Sequence, residues 1–149
     1  DFRINEKILA TLLKIRSLAT KQFVIQTRNP TERLFQYARA GNVSDFYKEE
    51  LEERQRFDYP PFAVMIKITL AGAAEKIEQR MEELRDHFAD YAFDVYRAFS
   101  PRGRVPKGHV VEHMLIKIGA KRWIDNNLLA LVQELPPDIV VEIEPDSIL

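Results

Sequence analysis

The chain has 149 residues and a net charge of −1, and 46% of its residues are hydrophobic and 30% charged. This composition suits one ordinary domain, or a small domain with an attached piece of another, and argues against a disordered chain or a membrane span. The absence of cysteine excludes a disulfide framework, a thiol nucleophile and a cysteine-based zinc site, and agrees with a reducing, cytoplasmic compartment.

The first part of the chain predicts helices around one short apolar run. Apolar spacing predicts an amphipathic helix over residues 3–18, and the start at Asp1 inside this helix suggests a piece of a longer protein. The run Phe23–Gln26 predicts a buried strand. Asn29-Pro30 predicts the start of a second helix that ends near Gly41. Ser44 predicts the cap of a third helix.

The pattern changes after two consecutive prolines, which predicts a boundary near residue 60 between units 1–60 and 61–149. The second unit predicts strands and helices in the order βαββαβ, an α+β fold of the ferredoxin-like type in which two helices cover one sheet face and the other face stays free. The predicted strands are 64–70, 93–99, 109–118 and 139–143, and the predicted helices are 73–90 and 122–134.

The basic residues are concentrated in one stretch of the second unit. Between residues 97 and 122 stand seven basic residues and one acid, Glu112. Such segregation attracts phosphates even when the total charge is near zero. The candidate nucleic-acid-binding residues are these seven and the adjacent tryptophan, namely Arg97, Arg102, Arg104, Lys107, Lys117, Lys121, Arg122 and Trp123.

Two interpretations of this basic stretch stay open. Arg102, Arg104 and Lys107 lie in a Pro/Gly-rich loop, which either meets a phosphate backbone or is simply solvated. Trp123 either stacks on a base, worth about 1–3 kcal/mol, or packs beneath the start of a helix.

Patterns for catalysis are missing from the sequence. There is no GxxxxGK[ST] phosphate loop, and the turn Ala71–Glu75 lacks the features of an acylphosphatase loop. His109 and His113 stand on a predicted strand, about 13–14 Å apart on one face, which is unsuited to a shared metal. Glu142 and Glu144 alternate on the last predicted strand and are interpreted as a solvent-facing row rather than an acid–base pair. We expect no catalytic residue, metal or cofactor in this chain.

Three stretches resemble the carboxy-terminal part of the PriA family (primosomal protein N′), together along essentially the whole chain. The first is similar to the end of the second helicase lobe, the second to the junction into the terminal domain, and the third to the final strand and its proline turn. In order, they are Val24–Thr27 with Asn29-Pro30; Phe46-Tyr47, Glu50-Leu51 and Arg54 with Tyr59–Phe62; and Val141–Pro145 with Ser147–Leu149.

The resemblance implies a DNA- and partner-binding module that acts in replication restart. Residues 1–60 would be the end of helicase lobe two, and residues 61–149 a ribosomal-protein-type α/β domain. The implied partners are single-stranded or forked DNA, single-stranded-DNA-binding protein and other primosome proteins. ATP, magnesium and zinc are implied for family members in regions that this sequence lacks. A protein-interaction domain without DNA affinity, using the free sheet face and Trp123, is the alternative.

The sequence departs from the family at two places. Where the family has a Gln-Val-Ala-Gly-Arg-Ala-Gly-Arg run, this chain has Lys14–Lys21, with Leu18 and Lys21 in place of the two arginines. Because leucine carries no charge and lysine lacks the bidentate fork, we predict a parent protein with impaired ATPase activity. The family's tyrosine–arginine pair before the third strand is replaced by Val110-Val111.

Overall fold

A computed structural model describes residues 2–98 and 106–148. The chain divides into two compact units, Asp1–Phe57 and Asp58–Leu149. Within the described ranges, no helix is both long and apolar enough to cross a membrane.

The described part of the first unit contains helices α1 (Ile4–Leu18), α2 (Arg33–Ala40) and α3 (Val43–Arg56). The predicted first helix is therefore confirmed to within one residue. A small apolar core joins the three helices, and its buried members are Leu9, Leu34, Ala38 and Phe46. Arg54 of α3 also links α3 to α1 by salt bridges, because its guanidinium lies 3.0 Å from Glu50 and 2.9 Å from Glu6 of α1. Pairing of this kind compensates the burial of the Glu50 carboxylate.

Two of the predicted helix starts in this unit are wrong. Helix α2 begins at Arg33, and Asn29 instead organises the turn before it by accepting a hydrogen bond from the Thr31 hydroxyl at 3.0 Å. Helix α3 is capped by Asn42, whose side chain accepts from the backbone N–H of Asp45 at 3.3 Å, and not by Ser44. The predicted end of α2 is confirmed, because Gly41 adopts the left-handed conformation with φ 72° that glycine tolerates.

The run Phe23–Gln26 does not form the predicted strand. A strand needs a neighbour for its backbone N–H and C=O groups, and the described residues of this unit contain no such neighbour. Ile25 still packs against the small core, whereas Val24 is 70% exposed. The apolar composition of the run therefore reflects the packing of one side of the segment against the core, and not strand formation.

The second unit has the predicted order βαββαβ. Its main elements are β1 (Ala63–Ala73), α4 (Ala74–His87), β2 (Phe93–Arg97), β3 (His109–Gly119), α5 (Asn126–Gln133) and β4 (Val140–Ile143). The strands form a sheet of order β2-β3-β1-β4 in which each neighbouring pair is antiparallel. The α+β class is confirmed.

The second helix of this unit starts later than predicted. A short 3₁₀ helix occupies Ala120–Arg122, and α5 begins at Asn126. The Asp125 carboxylate fixes this start, because it accepts hydrogen bonds from the backbone N–H groups of Asn127 and Leu128, both at 3.1 Å. Capping by a short acidic side chain satisfies donors that the first turn leaves unpaired.

The main core lies between one face of the sheet and the two helices. Its buried members come from alternate positions of β1 and β3 and from one side of α4 and α5; they are Ile66, Ile68, Leu70, Ile77, Met81, Leu84, Phe88, Met114, Ile116, Ile118 and Leu128. We call this side of the sheet the helix face and the opposite side the second face.

The second face is not free, contrary to the prediction. Residues 144–148, which we call the tail strap, return along it after β4. The backbone N–H of Glu144 donates to the Met65 carbonyl at 2.7 Å, and the side chains of Lys67 and Tyr96 donate to the carbonyls of Ser147 and Ile148. Met65 is fully buried and Leu115, on β3, is 3% exposed. The alternation of apolar and polar residues along β1 indicated a polar second face. It could not reveal that residues from another part of the chain cover this face.

Replacing Ile116 by Ala should lower the free energy of unfolding by about 2–5 kcal/mol, because the side chain is fully buried and leaves a cavity in the main core. Ile143→Ala is the matched control, since this isoleucine of β4 is 48% exposed and should give a clearly smaller loss. Urea denaturation followed by circular dichroism measures both. Equal losses would contradict the burial of Ile116 in the main core.

Candidate nucleic-acid interface

Arg97 ends β2 on the helix face, where carboxylates surround it. Its guanidinium lies 3.2 Å from the carboxylate of Glu112 on β3. With Glu78, Glu82 and Arg85 of α4, these two side chains line a polar depression. The Arg97 side chain is 67% exposed, and its charge is partly offset by the Glu112 carboxylate.

The other basic residues predicted for the loop are only partly described. Arg102 and Arg104 lie outside the described residues. Lys107 is exposed in the turn that leads into β3, beside Gly108, whose left-handed φ of 80° lets the chain enter the strand. Lys107 and Arg97 therefore mark the same end of the sheet, which we call the hairpin end.

The remaining candidates lie at the opposite end of β3. Lys117 is two residues before the end of the strand, and the exposed Lys121 and Arg122 follow in the 3₁₀ helix. Five residues separate Glu112, the partner of Arg97, from Lys117, which is about 17 Å along a strand. The basic stretch is thus continuous in sequence but divides into two groups in space. We call Lys117, Lys121 and Arg122 the basic end of the sheet.

Two aromatic residues, Tyr59 and Trp123, lie at the basic end. Tyr59 was not among the predicted site residues. The Lys117 ammonium lies 4.5 Å from the centre of the Tyr59 ring, a cation–π distance. Arg122 lies 3.5 Å from the Asp125 carboxylate and is otherwise well exposed. Trp123 is half-buried and packs against the main core, which is the second of the two predicted arrangements and limits the ring area left for stacking.

A polar cluster on the second face also escaped sequence analysis. Lys67 is 7% exposed and forms a salt bridge with Glu142 at 2.8 Å, its neighbour across the β1–β4 pair. Thr69 and His113 share a hydrogen bond of 2.9 Å, and the Tyr96 ring lies 5.4 Å from the His113 ring. These contacts depend on strand register, which no local pattern reveals.

The environment of this cluster shifts two pKa values. Burial lowers the pKa of His113, and the nearby Lys67 ammonium lowers it further, whereas Glu142 acts in the opposite direction. Burial raises the pKa of Tyr96 to about 12, with a further contribution from Asp94. At neutral pH the tyrosine therefore keeps its proton and acts as a donor.

The described residues include no group of three or more histidine, aspartate or glutamate side chains that could hold a metal ion. The two groups of cations and the second face provide hydrogen-bond donors and positive charge. Such groups bind phosphates and position a nucleic-acid backbone.

Comparison with curated proteins identifies relatives of one kind. The chain is 36% identical over 81 residues to the replication restart protein PriA of Borreliella burgdorferi, an alignment that covers 51% of this chain and 12% of the relative. It is 32% identical over 81 residues to the PriA of Treponema pallidum, with the same coverage, and 35% identical over 80 residues to that of Rickettsia conorii, with 50% and 12% covered. No family model matches the chain.

About half of the chain is therefore a PriA-like region, which confirms the resemblance predicted from its motifs. The motifs predicted a resemblance along essentially the whole chain, which is more than these alignments cover. The aligned part spans only 12% of the length of each of these relatives.

The free energy of unfolding should fall as the pH is lowered through about 6.5, the ordinary pKa of histidine. Below that value the unfolded chain binds a proton at His113, whereas the folded chain, in which the pKa is lowered, does not. His113→Asn should flatten this part of the stability curve, as measured by urea denaturation at several pH values. His109→Asn, at an exposed position of the same strand, is the control. An unchanged curve for His113→Asn would contradict the burial of a neutral imidazole.

Proposed function

We propose that this PriA-like chain is a DNA-binding and partner-binding module of a protein that acts in replication restart, with no catalytic group of its own. The names of its relatives support the replication-restart part of the proposal. The basic end of the sheet carries the DNA-binding part, because it presents Lys121 and Arg122 to solvent directly after Lys117.

The basic end suits a nucleic-acid backbone better than the hairpin end does. At the hairpin end, Arg97 shares its surroundings with three carboxylates. At the basic end, Lys121 and Arg122 are both exposed, and Arg122 meets one carboxylate of the described residues, that of Asp125 at 3.5 Å. Exposed lysine and arginine side chains release counterions from DNA when they neutralise its phosphates, which drives binding.

The strand order supports a finer proposal about the fold. A βαββαβ chain whose sheet runs β2-β3-β1-β4 with antiparallel neighbours is what the ferredoxin-like arrangement requires. We include this fold, of the ribosomal-protein type, in the proposal, together with the interpretation of residues 1–60 as the end of helicase lobe two.

The parent protein is proposed to be impaired in ATP hydrolysis. Leu18 ends α1 and is 74% exposed, and Lys21 is exposed beyond it, so neither contributes to the described core of the first unit. An arginine at each position would add the charge that stabilises a transferring phosphoryl group. Measured DNA-stimulated ATP hydrolysis by the intact parent at ordinary helicase rates would refute this part.

The alternative of a pure interaction domain loses the features that suggested it. It relied on a free sheet face and on Trp123, and the tail strap covers part of the second face while Trp123 packs against the main core. Single-stranded-DNA-binding protein and other primosome proteins stay in the proposal as partners on the strength of the resemblance alone.

The double variant Lys121→Gln/Arg122→Gln should bind single-stranded and forked DNA more weakly than the original chain. The slope of log K against log salt should become shallower by about 0.7 for each phosphate of a single strand that the variant no longer neutralises. Fluorescence anisotropy at several salt concentrations measures both quantities.

The matched control is Lys76→Gln/Arg85→Gln, which removes two exposed cations of α4 from the helix side of the same unit. It should leave the affinity and the salt slope nearly unchanged. Equal effects of the two double variants would show that net charge alone is responsible, and an absence of binding at low salt would refute the DNA-binding proposal.

A further inference from the structure

The tail strap occupies groups that a nucleic acid would use. We propose that the strap masks a second nucleic-acid-binding surface, formed on the second face by Lys67, Tyr96 and Lys117, and that single-stranded DNA binds there when the strap is displaced. This inference rests on the proposed function, because it extends the same DNA site along the sheet.

The strap presents backbone acceptors to two side-chain donors. The Lys67 ammonium donates to the Ser147 carbonyl at 2.9 Å, and the Tyr96 hydroxyl donates to the carbonyl of the next residue, Ile148. A phosphodiester also offers neighbouring oxygen acceptors, and its charge makes hydrogen bonds from an ammonium stronger than those to a neutral carbonyl. Strap and phosphate backbone are therefore alternative partners for the Lys67 ammonium, whereas Tyr96 offers a nucleic acid its ring once its hydroxyl no longer holds the strap.

The charges favour the same exchange. The strap carries the carboxylates of Glu144 and Asp146, while the strands beneath it contribute Lys67 and Lys117. Glu142, which pairs with Lys67 at 2.8 Å, belongs to β4 and not to the strap. Moving two carboxylates away makes this side of the sheet more positive and so more attractive to DNA.

Aromatic side chains on the second face provide stacking surfaces. Tyr96 and His113 lie on neighbouring strands with ring centres 5.4 Å apart and planes inclined by 57°, and Tyr59 lies against Lys117. Four-stranded sheets with aromatic rings on an open face stack the bases of single-stranded nucleic acids. Displacing the strap would give bases access to such rings, next to the donors that would hold the phosphates.

The strap is attached in a way that permits local opening. It follows the four-residue strand β4 and begins at Glu144, whose φ of 51° turns the chain back over the sheet. Pro145 is its buried anchor, and hydrogen bonds from Lys67 and Tyr96 hold the segment beyond it. Short segments that are held by a few hydrogen bonds open at a free energy below that of global unfolding.

Tyr96→Phe removes the hydroxyl that donates to the Ile148 carbonyl and keeps the ring that would stack on a base. Amide hydrogen exchange of residues 144–148 should accelerate, and affinity for a fluorescein-labelled oligo-dT strand should increase about two- to tenfold, as expected for the loss of one hydrogen bond that stabilises the masked state. Tyr91→Phe is the control, since it removes a comparable hydroxyl, which donates to Asp125 at 3.0 Å and does not contact the strap. Thermal unfolding of both variants checks that the fold is retained.

A chain shortened after Pro145 provides a second measurement. Faster exchange in Tyr96→Phe without tighter DNA binding, together with unchanged affinity of the shortened chain, would overturn the inference while leaving binding at the basic end intact. If the original chain does not bind DNA but the shortened one does, the masked surface is supported and the basic end is refuted. If neither chain binds, both proposals fail.

Discussion

The pairing of β1 with β3 is the constraint on which the rest of the second unit depends. Eleven residues of each strand are in register, from Ala63 opposite Gly119 to Ala73 opposite His109. This register places Ile66 beside Ile116 on the helix face, and Lys67 beside Leu115 on the second face. If one strand shifted by one residue, its side chains would exchange faces, and polar residues such as Lys67 or Lys117 would enter the core. The faces on which Lys67, His113 and Lys117 lie therefore follow from this one pairing.

The order of elements in the second unit could be predicted because each element has its own period. Alternation marks β1 and helical spacing marks α4, and both are properties of neighbouring residues. The run Phe23–Gln26 failed as a strand because pairing is not a local property. The prediction of a free second face failed for the same reason, since Lys67 contacts Ser147, which is 80 positions away in sequence. Contacts of that range are set by topology, which a pattern of single residues does not contain.

The candidate site shows the same division between local and distant effects. The sequence correctly located a concentration of basic residues, but β3 runs through the middle of it and carries its two groups to opposite ends of the sheet. Arg97 is offset by Glu112 and by acids of α4, and the tryptophan beside Arg122 is partly used by the core. Charge counted along the chain is therefore a guide to the element that binds, and only the fold decides which of its residues face a ligand.

Lys117 connects the exposed and the masked parts of the proposed DNA surface. It precedes Lys121 and Arg122 along the chain, and it lies opposite Met65, two residues from Lys67 on β1. A short strand that reaches only the basic end would leave the strap in place. A longer strand that continues past Lys117 would compete with the strap for Lys67 and Tyr96, so part of its binding free energy would be consumed in opening the strap. Under this arrangement the strap makes affinity depend on the length of single strand available.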